Sequence, residues 1–391
     1  MTRFGTKGTL GAAALLLAST SLASAGGVER NAFTTGILFE AGTYVELGYS
    51  FTAPDVTGRA VALPGAPPSG DVAPSYGFAT LSFANEVNDR LTFSLVLDAP
   101  IGADVAYGAS PGYPFAGSTA ELRSSQITAA ARYEITENVS VFGGLRAARV
   151  WGDAYVTTNV GGLGFSYILD DAQSDTGYGY MIGAAYEVPE IALRVALTYF
   201  SEVDLEFDSR EALAGAGVSE PALAGIAGPS NFGITLPDSI LLEAQSGIAE
   251  GTLLFGSVRW VDWSEFTITP NLYPLTLVPA VTVGGDLAFY GGDSFTYSLG
   301  VARQLNENWT VLGSALYENA NGGFVGNLGP TDGRTALSVG ARYTTGPVVI
   351  SGGLQYSWLG EAQTAFGPVQ PLASFTDNTA VSAALRIGYS F

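Results

Sequence analysis

Six arginines, Arg132, Arg146, Arg194, Arg259, Arg342 and Arg386, each sit opposite the apolar face of an alternating segment. A guanidinium grips a carboxylate through two parallel hydrogen bonds, so these residues on one inner surface suit an amphipathic carboxylate ligand. The same positions also suit plain neutralisation by neighbouring acids such as Glu46, Glu187 and Glu243. Little else in the chain offers reactive chemistry. It has no His and no Cys, which removes Ser-His and Cys-His catalysis, disulfides and the commonest metal ligands. One acid pair, Asp262 and Glu265 around Trp263, is left for hydrolysis, and its position reads as the end of a strand. No enzyme activity, cofactor or metal site is expected.

The elements that carry these arginines alternate with period two. In the last strand Val381, Ala383, Leu385, Ile387, Tyr389 and Phe391 share one face, opposite Ser382, Ala384, Arg386, Gly388 and Ser390. One wholly apolar face means a strand between two different surroundings. The pattern recurs: Val45 to Phe51, Tyr76 to Ala84, Leu91 to Asp98, Leu122 to Ile135, Val139 to Trp151, Tyr178 to Val188 and Ile191 to Glu202. It continues over Ser239 to Ile248, Thr252 to Trp263, Ser294 to Leu305, Trp309 to Asn319, Thr335 to Thr344 and Val348 to Trp358. Short turn-forming runs such as Asn306-Glu307-Asn308 alternate with long connections.

At the other end, Arg3 and Lys7 precede an apolar run from Leu10 to Ala18, and Ala23-Ser24-Ala25 reads as a cleavage site. Residues 1–25 are therefore read as a secretory signal peptide. No later run is long and apolar enough for a membrane helix, so an exported chain of this hydropathy crosses a bilayer as a closed barrel. The expected fold is all-β: a 14-stranded antiparallel transmembrane barrel over residues 43–391, preceded by a short plug segment at 26–42. Its expected place is the outer membrane of a Gram-negative bacterium, with outer-membrane lipid around it. Without Arg3 and Lys7 the chain holds 14 basic groups, all arginine, against 36 acidic ones. That balance argues against nucleic acid as a partner. Among the long connections, Val156, Phe165, Tyr167, Ile168 and Leu169 form an apolar cluster, and Ser209 to Gly215 reads as a short helix.

Thr235-Leu236-Pro237-Asp238-Ser239, Arg259 to Phe266, Asp293 to Gly300, Trp309 and Asp332-Gly333-Arg334-Thr335 together resemble the FadL-type family of outer-membrane transporters. In the first half, Val87 to Leu91 and Asp98 to Gly102 match the family's second turn and third strand. The resemblance implies passive uptake of hydrophobic small molecules, long-chain fatty acids first among them, with an N-terminal hatch and a kinked third strand. The hatch reads as reduced here, since only Gly26 to Phe39 precede Glu40-Ala41-Gly42-Thr43-Tyr44. A kink follows from chemistry too: Pro100 cannot donate to a ladder and Gly102 has no side chain to pack. Asp98, Pro100 and Gly102 are thus expected at a sideways exit. Ligand contacts are expected at Arg146, Arg194, Arg259, Arg342, Arg386, Phe142, Leu312, Leu316 and Phe165. Two other functions fit a barrel: a general or anion-preferring porin, and a membrane anchor for a surface structural protein.

Overall fold

Alternation in the sequence becomes a closed wall in the computed structural model, which describes residues 28–31, 35–160, 163–215, 226–275, 286–366 and 370–391. The signal-peptide segment lies outside these residues. The barrel strands are β1 (Thr43–Asp55), β2 (Tyr76–Asn88), β3 (Leu91–Asp98), β4 (Thr119–Glu134) and β5 (Val139–Val160). Next come β6 (Gly177–Val188), β7 (Leu193–Phe200), β8 (Ser239–Ala249), β9 (Thr252–Val261) and β10 (Ser294–Gln304). β11 (Trp309–Glu318), β12 (Arg334–Thr345), β13 (Val348–Leu359) and β14 (Thr379–Ser390) complete the set. Each pairs antiparallel with its neighbours in this order, and β14 returns to β1 from Ser390↔Tyr44 to Thr379↔Asp55. Closure leaves the wall no free edge, as hydrocarbon demands of a spanning sheet.

Tight turns at one end have local causes. Asn306 Oδ1 accepts from the backbone N–H groups of Asn308 (3.0 Å) and Trp309 (2.9 Å), closing the β10–β11 hairpin. Gly346 supplies the left-handed φ of 54° that turns β12 into β13. The apolar face of each strand points outward, so Leu145, Tyr178, Leu299 and Val339 are among the most exposed large side chains. In a soluble protein that would be an error; against lipid it is the solvent-facing side. Tyr133, Tyr186, Trp309, Tyr317, Tyr356, Trp358 and Tyr389 are exposed as well, as interfacial girdles require.

At the other end the long connections are mostly sheet rather than loop. β5 runs on past the wall and pairs with Leu163–Ser174, which pairs with Val203–Gly215, which pairs with Ile226–Leu236. The expected helix at Ser209 to Gly215 is therefore corrected to strand. Period-two burial wins over its alanine content, with Ser209, Glu211 and Leu213 buried and Arg210 and Ala214 exposed. A second sheet joins Phe324–Val325, Ala362–Phe366, Gln370–Phe375, Thr57–Arg59 and Pro68–Asp71 over the barrel mouth. Between them lies an apolar core that includes Phe165, Tyr167, Phe207, Trp263, Phe266 and Phe375.

Candidate functional site

Where β3 stops, the wall breaks. Leu97 still pairs with Leu81 of β2, and Asp98 with Gln126 of β4. The ladder on β4 resumes only at Ala103↔Leu122, in a short strand Ala103–Ala106. Across the break, Tyr76 to Thr80 of β2 pair with β1 on one side and have no ladder partner on the other. Higher up, the Ala106 N–H donates to the Val72 carbonyl at 2.9 Å and closes the window from above. Pro100, lacking an N–H, sits in the middle of the interrupted stretch.

From Pro100 to Gly102 the backbone is bonded from inside. Ser124 Oγ accepts from the Ile101 N–H (2.9 Å) and donates to the Ile101 carbonyl (2.6 Å). The N-terminal strip Val28 to Asn31 supplies the rest, with Glu29 bridged to Ile101. Arg30 N–H donates to the Pro100 carbonyl at 2.6 Å, and Gly102 N–H to the Val28 carbonyl at 2.7 Å. Irregular backbone at membrane depth survives because it is bonded within the protein. Gly102 is buried, and a Cβ there would lie 3.0 Å from Arg30 Cγ and 3.2 Å from the Leu122 carbonyl oxygen. Its missing side chain therefore makes room for Arg30, rather than leaving a bare hole as its composition alone implied.

Below the strip, the 3-10 turn Thr35–Phe39 packs on the inner wall. Ile37 and Leu38 pack with Phe142, Val96, Met181 and Phe200 from the inner wall. The Phe39 ring lies between the guanidinium groups of Arg194 (4.1 Å) and Arg132 (4.5 Å), and Thr35 bonds to Glu243. The luminal arginines are engaged with the protein itself, although Arg146 Nε and Arg194 Nε and Nη2 are buried with no hydrogen-bond partner among the described residues. Arg132 pairs with Glu187 (2.6 Å) and Glu134 (2.8 Å), Arg259 with Glu29, and Arg386 with Glu46 (3.7 Å). Arg146 donates to Gln126 (3.1 Å) and to the Ser201 carbonyl (3.2 Å), and Arg342 to Thr344 (3.4 Å). Asp98, also buried, accepts from Gln126 and Asn31 at 3.4 Å. Leu312 is buried beside Phe255 of β9, and Leu316 shares its inward parity. Phe165 is part of the cap core, far along the chain's outer sheet.

Above the strip is an open pocket with a cavity volume of about 70 Å³. Its walls come from the cap strands, with Leu169, Ala172, Phe207, Phe232, Ile234 and Phe289. Its edge next to the wall break is Val28, Ala103 and Leu122. Glu121 and Asp153 are the charged residues among its lining, both exposed and on the strand faces opposite Ala120, Leu122, Gly152 and Ala154, and no arginine lines it. Tyr290 lines it too and hydrogen-bonds the backbone of Val28, while burial pushes its phenol up, so it stays neutral. An apolar lining with few polar groups suits a hydrophobic ligand.

Residues 32–391 match the family described as "Outer membrane protein transport protein (OMPP1/FadL/TodX)". The chain belongs to the FadL/TodX family. This FadL/TodX protein is thus an outer-membrane channel for hydrophobic compounds and not an enzyme. Its fold is similar to that of a Pseudomonas aeruginosa FadL homologue, with TM-score 0.73 at 15% identity over 91% of this chain and 92% of the other. The Pseudomonas putida toluene transporter TodX gives TM-score 0.65 at 13% identity, covering 94% of this chain and 96% of that one. The Ralstonia pickettii toluene transporter TbuX gives 0.64 at 16%, covering 91% of each. No curated protein sequence matches the chain.

Of the sequence-derived site residues in this FadL/TodX channel, Asp98, Pro100 and Gly102 do meet at the wall break. The arginines, Phe142, Leu312 and Leu316 lie in the lumen and Phe165 in the cap, none of them lining the pocket. Sequence reasoning missed Val28, Glu29, Arg30, Tyr76 and Asp104. One signal pointed to them: Glu29-Arg30, an adjacent opposite-charge pair in an otherwise nearly uncharged leading segment.

Proposed function

We propose that hydrophobic molecules collect in the pocket under the cap and leave sideways into the membrane through the break between β2 and Ala103–Ala106. The observation that carries this is the shared boundary: Val28, Ala103 and Leu122 belong to both the pocket and the window's frame. A lumen route is opposed by the turn Thr35–Phe39 and by the charged side chains around it, which an apolar molecule would have to desolvate. For substrate, the lining favours uncharged hydrophobes. A long-chain fatty acid is the narrower reading; its tail suits the walls, but no arginine lines the pocket to take its carboxylate. Dodecanol should accordingly bind purified protein at least as tightly as dodecanoate at pH 8, each buried methylene adding about 0.8 kcal/mol. Tenfold tighter binding of dodecanoate, or equal affinity across chain lengths, would overturn the substrate assignment.

The route is tested with a block at its mouth. Ala103 borders both the pocket and the wall break, and the chain has no cysteine of its own. Ala103→Cys carrying a bulky disulfide-linked label should stop uptake of a hydrophobic probe, and reduction of the label should restore it. Uptake that ignores the label would favour a lumen route past Thr35–Phe39.

A further inference from the structure

One side chain joins both edges of the wall break. Arg30 Nη2 lies 2.8 Å from Asp104 Oδ2 on the strand beyond the kink. Its guanidinium also lies over the Tyr76 ring of β2, 3.2 Å from the centroid. The pair with Asp104 is largely buried, with side-chain exposures of 11% and 12%. Asp104 is held in turn by Arg123 at 2.7 Å. The Arg30 backbone is fixed to the Pro100 carbonyl, and Gly102 leaves space for its side chain to cross. Tyr76, by contrast, is the first of the β2 residues without a ladder partner on the window side. Of the two rims, the Tyr76 side is the one free to yield.

We propose that Arg30 is the bolt of the wall opening and its selectivity element: it bridges Asp104 to Tyr76, and aromatic cargo opens it by taking the place of Tyr76 on the guanidinium face. The proposal rests on the wall-exit reading above. A cation over a ring is attracted by the ring's quadrupole, and more strongly where water is excluded. Swinging Tyr76 aside forfeits that attraction. An arriving aromatic ring restores it during passage, whereas a saturated molecule of the same size does not. Asp104 keeps the guanidinium in position throughout, so the exchange needs no unpaired charge.

Toluene and methylcyclohexane have the same carbon count and skeleton, and their uptake by cells expressing the protein reads the effect directly. Wild type should favour toluene by about tenfold, the scale of one desolvated cation–π contact. Arg30→Ala should speed methylcyclohexane and bring the preference to within about twofold. Arg30→Lys keeps a charge for Asp104 but loses the planar stack, and should reduce the preference without impairing barrel assembly. Tyr76→Leu should speed both compounds and leave the preference, because Arg30 still meets the cargo; Tyr76→Phe should behave as wild type. The labelled Ala103→Cys variant separates the two levels of failure. If the label leaves uptake untouched, the wall exit itself is wrong. If the label blocks uptake yet Arg30→Ala changes neither rate nor preference, the wall exit stands and the bolt is overturned.

Discussion

Arg334 and Glu318 are 4% exposed each and lie 3.1 Å apart on neighbouring strands β11 and β12. Two charges taken out of water are held at a cost, and removing one partner strands the other. Glu318→Ala should therefore lower barrel stability by about 3–5 kcal/mol, while Glu318→Leu/Arg334→Met should recover most of the loss. The gel-shift temperature of the extracted barrel reads both; equal loss in the two variants would mean the pair does not act as a pair. Glu211 is a second buried carboxylate, in the cap, accepting from the N–H groups of Asn271 (3.0 Å) and Leu272 (2.7 Å) and from the Tyr167 hydroxyl (3.0 Å). Glu211→Ala leaves those donors unpaired at about 1–3 kcal/mol each, so limited proteolysis should cut near 266–275 faster than in wild type. Unchanged cutting would show that water replaces the carboxylate. At this scale the sequence told which way a side chain points, because alternation alone decides inward from outward. It did not tell partners: Arg259 meets Glu29, far away in sequence, and no local pattern encodes that pairing.

Strands were legible because lipid outside and a polar interior inside impose strict alternation, and turn residues such as Asn306 and Gly346 mark where it restarts. Hence the fourteen barrel strands, their order and the break after Asp98 follow from pattern, within a few residues. The cap did not, since its strands bury one face on each other, carry alanine and glycine, and look like loops next to the stronger barrel signal. The leading segment was legible only as short; that its turn Thr35–Phe39 packs on the inner wall depends on three-dimensional contacts. Leu38 is fully buried there. Leu38→Ala removes a contact worth about 2–5 kcal/mol and should let the turn Thr35–Phe39 leave more often. Planar-bilayer recordings should then show larger or more frequent ion-conducting steps than wild type; identical traces would mean that the turn is not what closes the lumen. At the seam, the Phe391 N–H donates to the Thr43 carbonyl at 2.9 Å and its ring meets Tyr389 edge-on at 4.8 Å. Phe391→Ser should reduce the yield of heat-modifiable barrel in cells, and a normal yield would count against the seam as an assembly determinant.

Charge is the property that only the whole molecule shows. The chain carries 36 acidic against 16 basic groups, a formal charge of −20. Inside the barrel, arginines and acids offset one another, as the pairs of Arg132, Arg259, Arg334 and Arg386 show. Much of the surplus is therefore displayed elsewhere, and the cap strands around the pocket expose Asp153, Asp170, Asp171, Asp204, Glu206 and Asp208. A molecule approaching the pocket crosses this negative field before it touches an apolar wall. Neutral hydrophobes are unaffected, whereas anionic ones are repelled over a distance set by the ionic strength, about 30 Å at 0.01 M salt and 10 Å at 0.1 M. Decanol and decanoate at pH 8 share a carbon count and differ in charge. Their uptake-rate ratio should favour decanol most at low salt and fall as salt rises, because screening removes only the long-range repulsion. A part of the preference should persist at high salt, since no arginine lines the pocket to offset the cost of desolvating a carboxylate. A ratio independent of salt would mean that the outer field does not sort cargo, and a ratio favouring decanoate at low salt would reverse the sign assigned to it.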